Sequence, residues 1–307
     1  MSTQLSPQQS ARLAAWAAAR ASGLNNRATA RKLGISEREL IASACGEFAV
    51  RLRPEFSSLL AALTVLGEVK CVVRNPWAVL ERAGIIEAVG VSPVDRLVVQ
   101  ADRFALDCDV GLWDTAFALE EAGTRGDKLS VQFFTAEGVS AAKFFLRETD
   151  RAETFRALAQ AYSASEQTAN ELVRAAAPAA YMPLERLVAS HHDGLLKFLQ
   201  AASDSAVPLQ LVVRSGAATL TTTKSIRRVK RSDEVPWVNI LDDELDVHLH
   251  EESLRYVRLS RDPDTDSGWF HWFSDRRGVA LSVRVPERWS ELARAAASIA
   301  PQQDGNA

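Results

Sequence analysis

The feature that most constrains how this 307-residue chain can fold is an internal repeat. The stretch VKCVVRN at 69–75 aligns with QLVVRSG at 210–216. This alignment places Arg74 on Arg214, at an offset of about 140 residues. A single match of this length is weak, so the repeat depends on whether the offset recurs elsewhere.

The same offset recurs in two further segments. LSVQFFTAEGVSAAKFF at 129–145 aligns with GWFHWFSDRRGVALSV at 268–283, which places Phe134 on Phe273. WDTAFALE aligns with ESLRYVRLS at the same spacing and in the same order. The constant offset predicts two homologous halves, and the unit is far too long for a solenoid repeat.

Each half reads as helices followed by strands, which predicts an α+β fold. Residues 8–66 and about 150–202 have helical patterns, whereas the segments after them are short, β-branched or aromatic, and separated by Gly, Pro, Asn or Asp. We therefore predict a first repeat over residues 1–155 and a second over 156–307, each built on a large antiparallel sheet.

Local signals place several helices. Ser36 and Glu39 form a capping box, so a helix is expected to begin near Glu37, and Gly34 ends the helix before it. A short helix is predicted in PEFSSLLAALTVL, and a last one in RWSELARAAASIA.

Composition limits the compartment and the class of partner. The net charge is −3, so no general attraction to nucleic acid or anionic membrane is expected. No apolar run reaches the roughly 18 residues that a membrane helix needs, and the N-terminus lacks the features of a signal peptide. Three widely spaced cysteines argue against a disulfide framework and favour a reducing cytoplasm.

Two of the five histidines lie two positions apart in DVHLHEES. On a strand, His248 and His250 share a face with Asp246, and His271 follows 21 residues after His250. These residues could form a metal site, or they could be the polar face of a half-exposed strand. The repeat gives the first half no similar pair.

Three other segments could bind a ligand or a partner, but each also has a purely structural interpretation. VASHHDG holds His191 and His192 in a helical pattern, as a ligand or a surface turn. KSIRRVKRSDE, residues 224–234, could bind an anionic ligand or form a solvated hairpin tip. Residues 27–44 have the form of a helix-turn-helix, a form also common in proteins that do not bind DNA. No P-loop, dinucleotide fingerprint, nucleophile elbow or zincin motif is present.

Longer motifs resemble the HemS/ChuX superfamily of cytoplasmic haem-trafficking and haemin-degrading proteins. LGISERELIASA, LGEVKCVVRNPWAVLERAG and KLSVQFFTAEGVSAAKFFLRETD resemble the first half of those proteins. PLQLVVRSGAATLTTTK, PWVNILDDELDVHLHEES and GWFHWFSDRRG resemble the second half. The resemblance covers roughly residues 28–285 and includes the repeat.

The resemblance implies two repeats whose antiparallel sheets are stacked, with helices at one end of each. It implies haem as the ligand or substrate, held between helices and sheet, and a role in bacterial haem-iron utilisation. It also implies that His248 is a structural strand residue. Haem-uptake or haem-oxygenase proteins are then the expected partners, with neither membrane insertion nor nucleic-acid binding.

The chain departs from the family at the usual haem ligands. The helix that carries the family's axial histidine has none here, and Leu80 and Ala142 occupy two other positions where the family often has histidine. An iron ligand would then come from His191 or His192, or from a tyrosine such as Tyr162 or Tyr181. The propionates would require cations, for which the candidates are Arg174, Arg186 and Arg214.

Four functions follow from these observations. The first is a haem carrier, and the second is a haemin-degrading oxygenase-like enzyme. The third is a relative that kept the scaffold without haem and acts as a binding or regulatory protein. The fourth is a DNA-binding regulator that uses residues 27–44.

Overall fold

The computed structural model describes residues 5–92, 96–123, 126–168, 187–190, 193–274 and 278–297. The chain begins with three helices, whose first turns are all capped by side chains. Ser6, Asn25 and Ser36 accept hydrogen bonds from backbone N–H groups three residues on. The predicted capping box is confirmed, because Glu39 Oε2 also accepts from Ser36 N at 2.8 Å. The elements are α1 (Pro7–Ala21), α2 (Asn26–Lys32) and α3 (Glu37–Ala42).

The rest of the first half is mainly strand. A short strand interrupts the stretch that was predicted to be helical up to residue 66. The strand β3 was not predicted, because most of its first half is buried on both faces and so lacks polar alternation. The elements are β1 (Ala49–Leu52), α4 (Phe56–Ala62), β2 (Glu68–Arg74), β3 (Ala78–Val91), β4 (Leu97–Ala101), β5 (Ala105–Cys108), β6 (Trp113–Glu121), β7 (Lys128–Thr135), β8 (Ser140–Leu146) and α5 (Ala152–Ala161).

The second half repeats this order at the predicted offset. The elements are β9 (Val188–Ala189), α6 (Gly194–Asp204), β10 (Pro208–Arg214), β11 (Ala218–Ser225), β12 (Val229–Arg231), β13 (Trp237–Asp242), β14 (Leu245–His250), β15 (Tyr256–Arg261), β16 (Gly268–Phe273), β17 (Val279–Val285) and α7 (Trp289–Ala296). The α+β class and the antiparallel sheets are confirmed.

Strands from both halves make up each sheet. The first, sheet A, has the order β12-β13-β14-β3-β2-β8-β7-β6-β1, with every pair antiparallel. The second, sheet B, has the order β3-β4-β5-β11-β10-β17-β16-β15-β9, again antiparallel throughout. The long strand β3 contributes its first part to sheet A and its last part to sheet B.

The halves exchange strands in a reciprocal way. Strands β4 and β5 of the first half join sheet B beside β11, and β12 to β14 of the second half join sheet A beside β3. Matching backbone bonds close the two junctions: Asp109 N donates to Ala217 O at 3.0 Å, and His250 N donates to Trp77 O at 2.8 Å. The division at residues 155 and 156 stays a prediction, and it falls inside α5.

A main core and a smaller one organise the buried side chains. In the main core, alternate residues of equivalent strands point inward, Val69, Cys71 and Val73 from β2 among them. The smaller core lies on the opposite side of sheet A, where Trp16, Leu40 and other residues of the N-terminal segment cover Phe117 and Phe134. Each fully buried large apolar side chain contributes about 1.5–3 kcal/mol.

All three cysteines are buried free thiols. Burial raises the pKa of Cys71 and Cys108, so both remain protonated near neutral pH. No helix of the described residues is long and apolar enough to cross a membrane.

Candidate functional site

The repeat places two equivalent surfaces on the sides of the sheets that face away from the main core. On sheet A this surface, the first face, is defined by Lys70, Arg74, Glu81, Gln132 and Lys143, which alternate with core residues. Gln132 and Lys143 are directly paired across β7 and β8. The helices α1 to α3 cover part of this side of sheet A through the smaller core.

Ion pairs neutralise most of the charge on the first face. Lys143 Nζ lies 2.5 Å from Glu37 Oε1, and both side chains are about nine-tenths buried. Lys70 forms an ion pair with Glu81. The tie between Lys143 and Glu37 links sheet A to the start of α3, and removing either partner would leave an uncompensated buried charge.

Arg74 is the least satisfied cation on the first face. Its buried Nε has no hydrogen-bond partner among the described residues. Burial and the neighbouring Arg27 lower the pKa of Arg74 to about 10, against the opposing influence of Glu37 and Glu81. Its guanidinium therefore still carries a charge at neutral pH.

Two clefts of about 480 and 430 Å³ open on the first face and share Arg74 and Glu37. Their volumes lie within the usual range for small-ligand sites. Their described lining residues include several Arg and Lys side chains but no His, Cys, Met or Tyr. The first face therefore offers charge to an anionic ligand, but its clefts offer no side chain that ordinarily ligates haem iron.

The equivalent surface on sheet B has different residues. This second face is defined by Gln210, Arg214, Thr221, His271 and Ser282, the positions that correspond to the five of the first face. His271 and Ser282 are directly paired, as Gln132 and Lys143 are.

Arginines rather than ion pairs surround the centre of the second face. Arg258 lies beside His271 in register, and its guanidinium lies over the Phe273 ring, 5.9 Å from the centroid. Neither Arg258 nor Arg214 forms an ion pair within the described ranges. Burial, and then Arg258 and Arg214, lower the pKa of His271 to about 4, so its imidazole is neutral at pH 7.

Two of the predicted haem contacts, Arg214 and Tyr162, lie among the described residues. Arg214 lies on β10, on the second face. His191, His192, Arg174, Arg186 and Tyr181 lie outside the described residues. The helical interpretation of VASHHDG is wrong at its start, because Val188 and Ala189 form β9 beside β15. From β9 to β10 there are four strand spacings, about 19 Å.

The side chain of Tyr162 has structural contacts away from both faces. Its hydroxyl donates to Ser58 O at 3.1 Å, Arg53 lies over its ring, and the ring packs against the main core. It lies on neither face, so it is not placed to reach a ligand bound there.

The histidines of β14 have separate partners. His248 Nδ1 lies 2.7 Å from Asn239 Oδ1, and the His250 ring packs edge-on against Trp237. Within the described ranges no group of three or more His, Cys, Asp or Glu residues has the arrangement of a metal site. His271 lies on sheet B, whereas His248 and His250 lie on sheet A, so the three do not form the metal site that their spacing allows.

The helix-turn-helix does not present its second helix to a partner. The side chains of α3 from Glu37 to Ala42 are buried, apart from the capping residue Glu39. Their burial is incompatible with insertion of α3 into a DNA groove.

Within the described residues, ion pairs hold two of the five basic side chains in the run at 224–234, Arg228 and Arg231. Arg228 pairs with Asp243 at 2.9 Å, and Arg231 pairs with Asp193 and Glu251 at 2.7 Å. The run forms part of a solvated edge with β12.

Comparison with known proteins identifies the scaffold. Residues 34–162 match the family model of the haemin-degrading HemS.ChuX domain. The resemblance to the HemS/ChuX superfamily is confirmed. The haemin transport protein HmuS of Yersinia pestis is 33% identical over 151 residues, which are 49% of this chain and 44% of that protein. The match therefore spans less than half of this curated relative's length.

Two solved structures extend the likeness over almost the whole chain. Holo-PhuS, a haem-binding protein of Pseudomonas aeruginosa, has a TM-score of 0.84 and 27% identity, covering 95% of this chain and 99% of that one. ChuS, a haem-degrading enzyme of Escherichia coli O157:H7, has a TM-score of 0.82 over 94% of this chain, but at 19% identity it supports the fold alone. The fold of PhuS and ChuS thus includes both halves of this chain.

The donor set of the second face fits haem, the ligand that this scaffold implies. Arg214 and Arg258 are unopposed cations suited to carboxylates, and His271 supplies a neutral imidazole, a common ligand of haem iron. On the first face, Gln132 occupies the position equivalent to His271. The second face therefore brings two cations and an imidazole together, whereas the first face has a glutamine at the position equivalent to His271.

Sequence reasoning considered His271 only as a third metal ligand for the β14 pair. The repeat gives the signal that places His271 on the second face. The offset that aligns Phe134 with Phe273 also aligns Gln132 with His271. Arg258 gave no such signal, since its equivalent in the first half is the buried Leu119.

Proposed function

We propose that this protein is a cytoplasmic haem-binding carrier of bacterial haem-iron utilisation. The observation that carries the proposal is the match to holo-PhuS over nearly the full length of both chains. The second face supports it independently, because it combines cationic and imidazole groups on a rigid sheet. Rigid elements hold a ligand more precisely than loops do.

Carriage is favoured over degradation by the level of similarity. PhuS, which is described as a haem-binding protein, is 27% identical to this chain. The structures described as haem-degrading or haem oxygenase share 19% and 21%, which supports only the fold. Degradation remains the alternative, as the family model's own description is haemin-degrading.

The sequence-based ligand set remains part of the proposal. His191 or His192 would bind the iron, and Arg174, Arg186 and Arg214 would pair with the propionates. Ser190, directly before the two histidines, is held at the edge of sheet B, where its N–H donates to Arg255 O at 2.8 Å. Haem-uptake or haem-oxygenase proteins are the proposed partners for delivery and transfer.

Titration of the purified protein with haemin tests the proposal. We expect a sharp Soret band that saturates at one equivalent of haemin. The complex is then given a reductant and air: a stable band indicates a carrier, and progressive loss of the band indicates degradation. A broad change that never saturates would contradict haem binding altogether.

A further inference from the structure

His271 is held at the centre of the second face by the strands around it. It lies in β16, with Arg258 of β15 on one side and Ser282 of β17 on the other. The residues before and after it, Phe270 and Trp272, are fully buried in the main core. The backbone at His271 is therefore fixed, and its side chain must leave the sheet on the outer side.

The two ring nitrogens of His271 have different surroundings. Nδ1 lies 2.8 Å from Ser282 Oγ, and the ring stacks on Trp269 at 5.6 Å with an interplanar angle of 6°. No contact joins Nε2 to a described residue. Ser282 and Trp269 thus orient the ring, and Nε2 has no hydrogen-bond partner among the described residues.

The charges near His271 keep its imidazole ring neutral. The charged residues that act on it are Arg258 from β15 and Arg214 from β10. Both disfavour the imidazolium form, and burial acts in the same direction. At pH 7 the ring is neutral, which is the form that coordinates a metal.

We propose that Nε2 of His271 is an axial ligand of haem iron on the second face, with Arg214 and Arg258 paired to the propionates. This inference rests on the proposed haem function. An Nδ1 hydrogen bond to Ser282 is the kind of support that ligating histidines in proteins usually have, because it fixes the orientation of the ring.

The test uses the variant His271→Gln, which copies the first face's Gln132 at an equivalent position. Haemin titration and the spectrum of the ferric complex are compared with those of wild type. We expect a shifted Soret band and at least a 10-fold weaker affinity. His248→Gln is the matched control: that histidine also bonds through Nδ1, to Asn239, but lies on sheet A, and its variant should bind as wild type does.

Two further variants test the hydrogen bond to Nδ1 and the imidazole group separately. Ser282→Ala leaves the ring in place but removes the Nδ1 partner, and should weaken haemin affinity by about 10-fold. His271→Gly should regain the wild-type spectrum when free imidazole is added.

The outcomes separate the inference from the proposed function. Saturable haemin binding by wild type with an unchanged His271→Gln spectrum and affinity would overturn the assignment of His271 and leave the carrier proposal standing. Wild type that never saturates would overturn both. A lost spectrum in the His191→Ala and His192→Ala variants, with His271→Gln unaffected, would assign the iron to the sequence-predicted pair instead.

Discussion

The two outer faces stand at equivalent positions of one repeated scaffold, yet they differ in how their charge is managed. On the first face, Lys143 and Lys70 are each paired with a carboxylate. On the second face, the corresponding residues are the neutral Ser282 and Gln210, and Thr221 replaces the carboxylate of Glu81. Arg214 is left without an ion pair among the described residues.

This difference shows how one fold can supply both stability and binding. The buried pair of Lys143 and Glu37 ties sheet A to helix α3, and the smaller core lies under the same helices. The second face has neutral polar residues at the equivalent positions, so its cations remain available to an anionic ligand. The comparison predicts that substitutions on the first face affect folding and those on the second affect ligand binding.

The largest expected effect on stability is that of Lys143→Met. The substitution leaves Glu37 buried without its partner, and we expect a loss of about 3–5 kcal/mol in the free energy of unfolding. Urea denaturation followed by circular dichroism measures it. The matched variant on the second face, Ser282→Ala, should lose only about 1 kcal/mol.

A double variant then isolates the ion pair. Glu37→Leu combined with Lys143→Met should recover most of the lost stability, because an apolar pair leaves no buried charge. If Lys143→Met alone costs no more than Ser282→Ala, the first face is not stabilised by charge pairing and the contrast between the faces fails.

The turns that follow β2 and β10 give the next comparison. Asn75 accepts from the backbone N–H of Trp77 and Ala78, and its Nδ2 also donates to Ala280 O at 2.8 Å in the other half. The equivalent Ser215 serves only its own turn. We expect Asn75→Ala to cost about 2 kcal/mol and Ser215→Ala about 1 kcal/mol or less.

Asn75→Ser sharpens this comparison, since it restores the turn acceptor without the bond to Ala280. Its unfolding free energy should lie between those of Asn75→Ala and wild type. Equal losses for Asn75→Ala and Ser215→Ala would show that the bond between the halves adds nothing.

The pH dependence of stability should also distinguish the faces. The folded pKa of His271, about 4, lies below its unfolded value of about 6.5. As the pH falls from about 6.5 to about 4, the unfolded chain binds a proton that the folded protein does not, so stability falls across this window. Above about pH 6.5, His271 has no effect on the free energy of unfolding, and below about pH 4 the loss of stability is complete.

Urea midpoints at pH 7 and pH 5 measure this effect. His271→Gln should lose less stability than wild type on acidification, because glutamine does not titrate. The variant Gln132→His introduces a histidine at the equivalent position of the first face, and its loss of stability on acidification is compared with that of wild type. Parallel acid losses in wild type and His271→Gln would mean that burial, Arg258 and Arg214 do not depress the pKa of His271.

The smallest effect is expected at the exposed edge of sheet A. Arg228 pairs with Asp243, but its side chain is 63% exposed and that of Asp243 is 94% exposed. Arg228→Ala should therefore change the unfolding free energy by less than about 1 kcal/mol, and high salt should remove even that difference. A larger loss would show that the run at 224–234 has a structural role.

Much of the local structure is encoded in short stretches of sequence. The capping box at Ser36, the alternation in β10 and β13, and the glycine and proline turns act over a few residues, so pattern alone predicts them. The sequence pattern does not predict strand β3, because burial on both faces removes the alternation of apolar and polar residues that indicates a strand.

Residue order alone predicts a duplicated α+β protein, because a constant offset and β-strand periodicity can be seen in the sequence, and the longer motifs add the resemblance to the HemS/ChuX superfamily. Only the tertiary structure decided that the halves exchange strands, since pairings such as Cys108 with Ala218 join residues far apart in the chain. It also decided which cations are paired. Charge is fixed by residue type, but its neutralisation depends on distance, and Glu37 reaches Lys143 only through the packing of α3 on sheet A.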